Sequence, residues 1–177
     1  MNFVKRIPKL EQIAPVYAVV VVMIYPWSLL RFFWRLPSWT YFSSVGEIAV
    51  IFAYMVVVNL VESILVLLAP ILISIILPQK WFYDRFITKG TLLILLGLGY
   101  LMYFNNHLNI AIPFPLRMVY WMPAMAVTII GLVFLIDWVG FLNKILEEIA
   151  NRLIIFLYIS IPVSLISLLI VLIRNIL

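Results

Sequence analysis

Cysteine is absent from the 177-residue chain, which excludes disulfides, thiolate metal sites and cysteine nucleophiles. Histidine occurs once, as His107. A single imidazole beside Asn105 and Asn106 does not make the set of three or four ligands that zinc takes, so a plain loop residue is expected there. Charge is scarce: Asp, Glu, Lys and Arg make up 11% of the residues, against about 25% in an ordinary globular protein. That is too little to clothe a surface in water. The net charge of +5 is spread through short connections, without the basic patch that nucleic-acid binding requires. No serine–histidine–acid arrangement, phosphate-cradling loop or cluster of metal ligands is present. Gly97-Leu98-Gly99 lacks the third glycine and the preceding strand of a dinucleotide fingerprint; it is expected to mark close approach of a neighbouring helix. The expectation is a protein that is not an enzyme and carries no cofactor.

Apolar length is what the chain has in abundance. It is 67% hydrophobic with a mean hydropathy of +1.22. A hydrocarbon core about 30 Å thick takes about 20 apolar residues per helix, which predicts spans at 14–30, 46–77, 86–104, 120–139 and 153–173. Tryptophan and tyrosine favour the headgroup level, and they gather at the ends of these spans: Trp34, Trp39 and Tyr41; Trp81 and Tyr83; Tyr120 and Trp121; Trp138. The expected fold is therefore all-α, a bundle of five transmembrane helices in one domain over 1–177, with no soluble domain. Lys5, Arg6 and Lys9 precede the run Ala14 to Ile24 in the manner of a signal peptide. No small-residue cleavage site follows, so a retained first span is expected.

The second span is long. Thirty-two helical residues reach about 48 Å, well beyond the hydrocarbon. The segment lacks the Gly/Pro/Asn cluster that a turn near Glu62-Ser63 needs, and one tilted helix, kinked near Pro70, is expected in place of two short passes. With the N-terminus inside, Lys5, Arg6, Lys9, Lys80, Arg85, Lys89, Lys144 and Arg152 fall on the cytoplasmic side. Arg31, Arg35, Arg117 and Arg174 fall on the other. Eight against four places the N-terminus in the cytoplasm and the C-terminus outside, with a prokaryotic plasma membrane the expected host. In 140–152, Leu142, Ile145, Leu146, Ile149 and Leu153 recur at helical spacing opposite Lys144, Glu147, Glu148 and Arg152. This predicts an amphipathic cytoplasmic helix with Ile145 and Ile149 buried. Pro162 in the last span frees a carbonyl for Ser160, Ser164 or water to satisfy.

Two residues are candidates for a site. Asn59 and Glu62 lie three apart in the middle of the second span and are expected to share one face. An ionisable side chain at bilayer depth is costly and normally points into a bundle, toward a partner or a water-filled cavity. Glu62 is expected to hydrogen-bond another helix or subunit, with Asn59 reinforcing the contact. Asp84 is expected to be solvated in the basic loop 80–89, and Asp137 to reach Lys144.

Five spans with the N-terminus inside resemble the membrane portion of sulfatase-like and lipoteichoic-acid-synthase-like enzymes. The resemblance is one of span number and orientation. Those enzymes place a large metal-binding catalytic domain after the fifth span, and the chain carries no such motif. The leading expectation is a non-catalytic accessory or assembly subunit that docks on other membrane proteins or on a second copy within the lipid bilayer. The alternative is a small transporter or lipid-handling protein that uses Asn59 and Glu62.

Overall fold

The computed structural model describes residues 8–107 and 116–176, and all regular structure among them is helical. Six α-helices follow in order: α1 (Leu10–Trp39), α2 (Val45–Ile76), α3 (Phe86–His107), α4 (Leu116–Leu135), α5 (Gly140–Leu153) and α6 (Leu157–Ile176), with short 3₁₀ turns at Gln79–Trp81, Tyr83–Arg85, Ile136–Trp138 and Ile154–Phe156. The protein is an all-α membrane protein. Four helical stretches are long and apolar enough to cross a bilayer: Leu10–Trp39, Val45–Ile76, Gln79–Asn105 and Gly140–Ile176. The fourth expected span, 120–139, falls on α4 (Leu116–Leu135), whose helix ends four residues short of the expected end and gives way to a 3₁₀ turn at Ile136.

α1 is the hub. Its segment from Val16 to Ile24 is apolar nearly all round, and Val16, Ala18, Val19, Val20, Val21 and Ile24 are each at most 4% exposed. A helix apolar on every side belongs in the middle of a bundle, and α2, α3 and α5 all pack on it. α6 lies along α2, and α4 packs chiefly on α3. The helix α1 also overruns the expected 14–30 span at both ends, and beyond the apolar run Arg31, Phe33, Trp34 and Arg35 are exposed.

α2 is one unbroken helix through Glu62-Ser63, and Pro70 sits inside it without ending it. Its start is set by a capping box in Ser44-Val45-Gly46-Glu47. Glu47 N–H donates to the Ser44 hydroxyl at 3.3 Å, and the Glu47 carboxylate accepts from Ser44 N–H at 2.7 Å. The reciprocal pair satisfies two otherwise orphaned amides. Its end falls at Ile76, just before Leu77-Pro78, where the proline disfavours helical geometry in the residue ahead of it. At the far end of the bundle, the Asn175 amide of α6 donates to the Tyr54 hydroxyl of α2 at 2.9 Å. The two helices therefore run antiparallel.

The close approach expected at Gly97 and Gly99 occurs elsewhere. A Cβ at either glycine would meet nothing within 4 Å, whereas one at Gly90 would lie 3.3 Å from both methyls of Val16 and 3.7 Å from Pro70 Cβ. Gly90 is where α1, α2 and α3 converge.

α5 forms over the expected segment but is turned about its axis. Ala150 is fully buried, Ile145 and Leu146 are half-buried, and Leu153 packs on the core. Leu142 and Ile149 are each 44% exposed, so the expectation that Ile149 is buried fails. The smallest side chain on the helix gives the closest packing distance, so Ala150 turns inward and Ile149 turns out. Glu148 and Arg152 form the expected i,i+4 ion pair at 2.5 Å on an exposed surface, where such a pair contributes a few tenths of a kcal/mol. The side chains of His107 and Asp137 lie outside the described residues. His107 itself is the last residue of α3, so the expected loop position is not what its backbone adopts.

Candidate functional site

Polar side chains inside the bundle gather on α1 and on the faces that pack against it. Tyr17, Tyr25 and Ser28 project from α1 toward Ser63 and Asn59 on α2 and Ser164 on α6. The Tyr17 hydroxyl is 3.2 Å from Ser63 Oγ, the Tyr25 hydroxyl 2.8 Å from Ser164 Oγ, and Ser28 Oγ 2.7 Å from Asn59 Oδ1.

Proton counting gives direction to these contacts. A serine hydroxyl has one proton. Ser63 Oγ spends its own on the Leu60 carbonyl at 2.8 Å, and Ser164 Oγ on the Ser160 carbonyl at 2.6 Å. Each tyrosine is therefore the donor, and each chain runs tyrosine to serine to backbone carbonyl. Ser164 is thereby committed to Ser160 and Tyr25. It does not serve the Tyr158 carbonyl that Pro162 leaves without its helical N–H. In low-dielectric surroundings hydrogen bonds between transmembrane helices contribute roughly 0.6–2 kcal/mol each, enough in sum to fix helix register.

Asn59 is 3% exposed, and its Nδ2 has no partner. Ser28 Oγ also lies 3.1 Å from the Ile24 carbonyl, so a flipped amide would serve Ser28 equally well as donor. Either way one end of the Asn59 amide stays buried and open.

Glu62 is not on this face. Three residues along a helix separate side chains by about 60° of azimuth, and the boundary between bundle and surroundings falls between them. Asn59 and Ser63 point inward, while Glu62 is exposed on the outer surface of α2. The expectation that Asn59 and Glu62 share a face is corrected accordingly: Ser63, at four residues, is the true facial neighbour of Asn59. Among the described residues no hydrogen bond or ion pair engages Glu62 within the chain, and the expected contact with another helix of the same chain is not made. Glu62 lies 17 residues from Val45 and 14 from Ile76, about 26 and 21 Å along the axis, near the middle of α2.

Lys89 was expected in a basic loop and is instead a buried residue of α3, 1% exposed. Its ammonium donates to the Trp81 carbonyl at 2.5 Å and lies 5.5 Å from the centre of the Phe134 ring. Trp81 meets the same ring edge-on at 5.7 Å. The lysine thus joins the 79–85 turn to α3 and α4. Asp84 is exposed on that turn, as expected. Nearby, a cleft of about 340 Å³ between the starts of α1 and α3 and the helix α5 brings Asp84, Arg85, Lys144 and Glu147 to its rim.

Tyr17, Tyr25, Ser28, Ser164 and Lys89 escape a reading based on apolar runs, because single hydroxyls barely interrupt hydropathy and a lysine near a span end passes for a loop charge. The visible signal was spacing: Asn59 and Ser63 are four apart, and Tyr25 and Ser28 three apart. Among the described residues no group of three metal-ligating side chains occurs. Comparison with protein-family models, with curated proteins and with solved structures finds no match to the chain.

Proposed function

We propose that this protein is a non-catalytic membrane subunit that docks on a partner inside the bilayer through the outward face of α2. The observation that carries the reading is Glu62, a carboxyl in the middle of a long apolar helix, exposed on the outer surface of α2 and without a hydrogen bond or ion pair among the described residues. Insertion of an ionisable side chain at the centre of a bilayer costs about 2.5–3.5 kcal/mol on translocon-based scales, a cost that a polar group on a partner would offset. The internal hydroxyl network supports the same reading, since its serines and tyrosines are already used in holding α1, α2 and α6 together. Isolated in a mild detergent, the protein is expected to run as a defined species larger than one chain. Glu62→Gln, which keeps shape and hydrogen bonding, should preserve that species, and Glu62→Leu should loosen it. A wild-type protein that is monomeric under these conditions overturns the reading.

The host membrane in this reading is a prokaryotic plasma membrane, with the N-terminus cytoplasmic and five crossings. Two observations support it. The start of α1, the 79–85 turn and the start of α5 gather around one cleft, which brings Arg85 and Lys144 to the same end of the bundle. The helix α4 has 20 residues, about 30 Å, and runs back along α3: Met125 lies beside Tyr100 midway along α4 and Phe134 beside Lys89 near its end. A reporter fused after Leu177 is expected outside the cytoplasm and one inserted in 80–89 inside; both on one side overturns the five-crossing arrangement.

A second reading, a small transporter or lipid-handling protein, rests on two different features. These are the open Asn59 amide and an apolar groove of about 270 Å³ between α3 and α4, lined by Tyr100, Leu101, Phe104, Met122, Met125 and Ala126. It separates from the first by Asn59→Ala, which under transport would keep the assembled species and lose activity.

A further inference from the structure

Three different surroundings meet α5, and they divide its circumference between them. At about 100° per residue, exposed Phe141, Leu142 and Ile149, with half-buried Ile145, share an arc about 100° wide. Leu153, Leu146 and Ala150 fill the next arc of about 60°. This is the side turned to the bundle, where α5 packs on α1 and α3 and Ala150 is fully buried. Gly140, Asn143, Lys144, Glu147, Glu148 and Asn151 take the remainder of the turn. The first four of these line the cleft at the starts of α1 and α3. Arg152, paired with exposed Glu148, stands at the charged edge of the first arc.

We propose that the first arc rests on lipid, so that α5 lies in the membrane interface at the end of the bundle. Length sets the problem. The 20 residues of α6 reach about 30 Å and can cross the hydrocarbon alone, which leaves the 14 residues of α5 in excess. Its charged arc is costly in hydrocarbon, and its cleft-lining residues hold it beside the starts of α1 and α3. The first arc faces neither the bundle nor the cleft. It continues along the chain through exposed Ile155 and Phe156 to Tyr158 and Ile159 on the outer surface of α6, so the lipid around α6 reaches it without a break. Trp138, immediately ahead of α5 and 87% exposed, is the residue type that favours this boundary. Contact with lipid also accounts for the rotation of the helix. Ala150 gives the close contact with the bundle, and Ile149 and Leu142 keep apolar surroundings outside it. Charge decides what kind of lipid is needed. Lys144 and Arg152 are matched by Glu147 and Glu148, so α5 carries no net charge. Apolar burial holds such a helix, with no demand for acidic headgroups.

The absence of cysteine makes the test direct, because an introduced thiol carries the only spin label. The full chain is reconstituted in phosphatidylcholine vesicles with one label each at Phe141→Cys, Leu142→Cys and Ile149→Cys. Lys144→Cys, Glu147→Cys and Asn151→Cys serve as references on the charged arc. All six side chains are exposed, so folding is not at stake. Collision of each label with oxygen, which concentrates in hydrocarbon, is compared with its collision with a water-soluble nickel chelate. The ratio is expected to be severalfold higher at 141, 142 and 149 than at the three references. Equal ratios overturn the lipid contact. Labels at 141, 142 and 149 that meet neither reagent show a protein on the arc and overturn it as well. Adding Phe141→Asp to Leu142→Cys should raise its collision with the nickel chelate severalfold, because a carboxylate is costly against lipid. No change there would show that Leu142 is not seated in the membrane. Adding phosphatidylglycerol to the vesicles should leave the ratios as they are; a contact seen only with that lipid overturns docking by apolar burial.

Discussion

Gly90→Leu is expected to destabilise the folded protein by about 3 kcal/mol or more and to part α3 from α1 and α2. Overpacking a well-filled core costs typically 1–3 kcal/mol, and the site here is unusually confined. A Cβ alone would sit 3.3 Å from both Val16 methyls, and Thr88, Lys89 and Thr91 around it are each at most 4% exposed. The side chain has nowhere to go except between helices. Gly90→Ala is the informative companion. Alanine gains about 0.8–1 kcal/mol over glycine in helix propensity, which offsets a contact that Val16 must relieve by a few tenths of an ångström. A change within about 1 kcal/mol is expected for alanine. Thermal unfolding in detergent measures both. If leucine melts with the wild type, the three helices do not converge at Gly90.

Lys89→Met is expected to cost about 2–3 kcal/mol and to loosen α4 and the 79–85 turn. Methionine keeps most of the stem, so the loss isolates the ammonium. Hydrogen bonds to charged groups contribute about 1.5–3 kcal/mol, and removing one partner leaves the other buried and unsatisfied. Here the abandoned groups are the Trp81 carbonyl and the face of Phe134. Because α4 packs chiefly on α3, its hold on the bundle should weaken first. Hydrogen exchange is the direct measure: amides of α4 and of the 79–85 turn should exchange faster while those of α1 keep their protection. Unchanged exchange in α4 would show that Lys89 does not join these elements. Lys89→Arg should not rescue, since a planar guanidinium cannot replace a compact ammonium in a closed site.

The class of this protein was legible in its residues. A chain with 11% charge and runs of twenty or more apolar residues has one solvent in which it can fold, and helices follow because lipid offers no partner for an open backbone. The long second helix and the amphipathic α5 were readable for the same local reason. Their signals are contained within a few consecutive turns.

Facing was not legible, because it depends on which helices become neighbours. Every side of an apolar helix looks alike to a hydropathy reading, so Asn59 and Glu62 seemed one face. Packing against α1 turned Asn59 and Ser63 inward and left Glu62 outside. The same contest of volumes put the smallest residue, Ala150, rather than Ile149 against the core, and chose Gly90 over Gly97 and Gly99 as the point of contact. It also buried Lys89, whose charge the sequence assigns to a loop and whose partners come from a turn and from α4. The residues by themselves determined the solvent and the helices. Only the tertiary structure decided which polar groups the bundle consumes and that Glu62 stays on its outer surface, since that choice follows from close packing between helices distant in the chain.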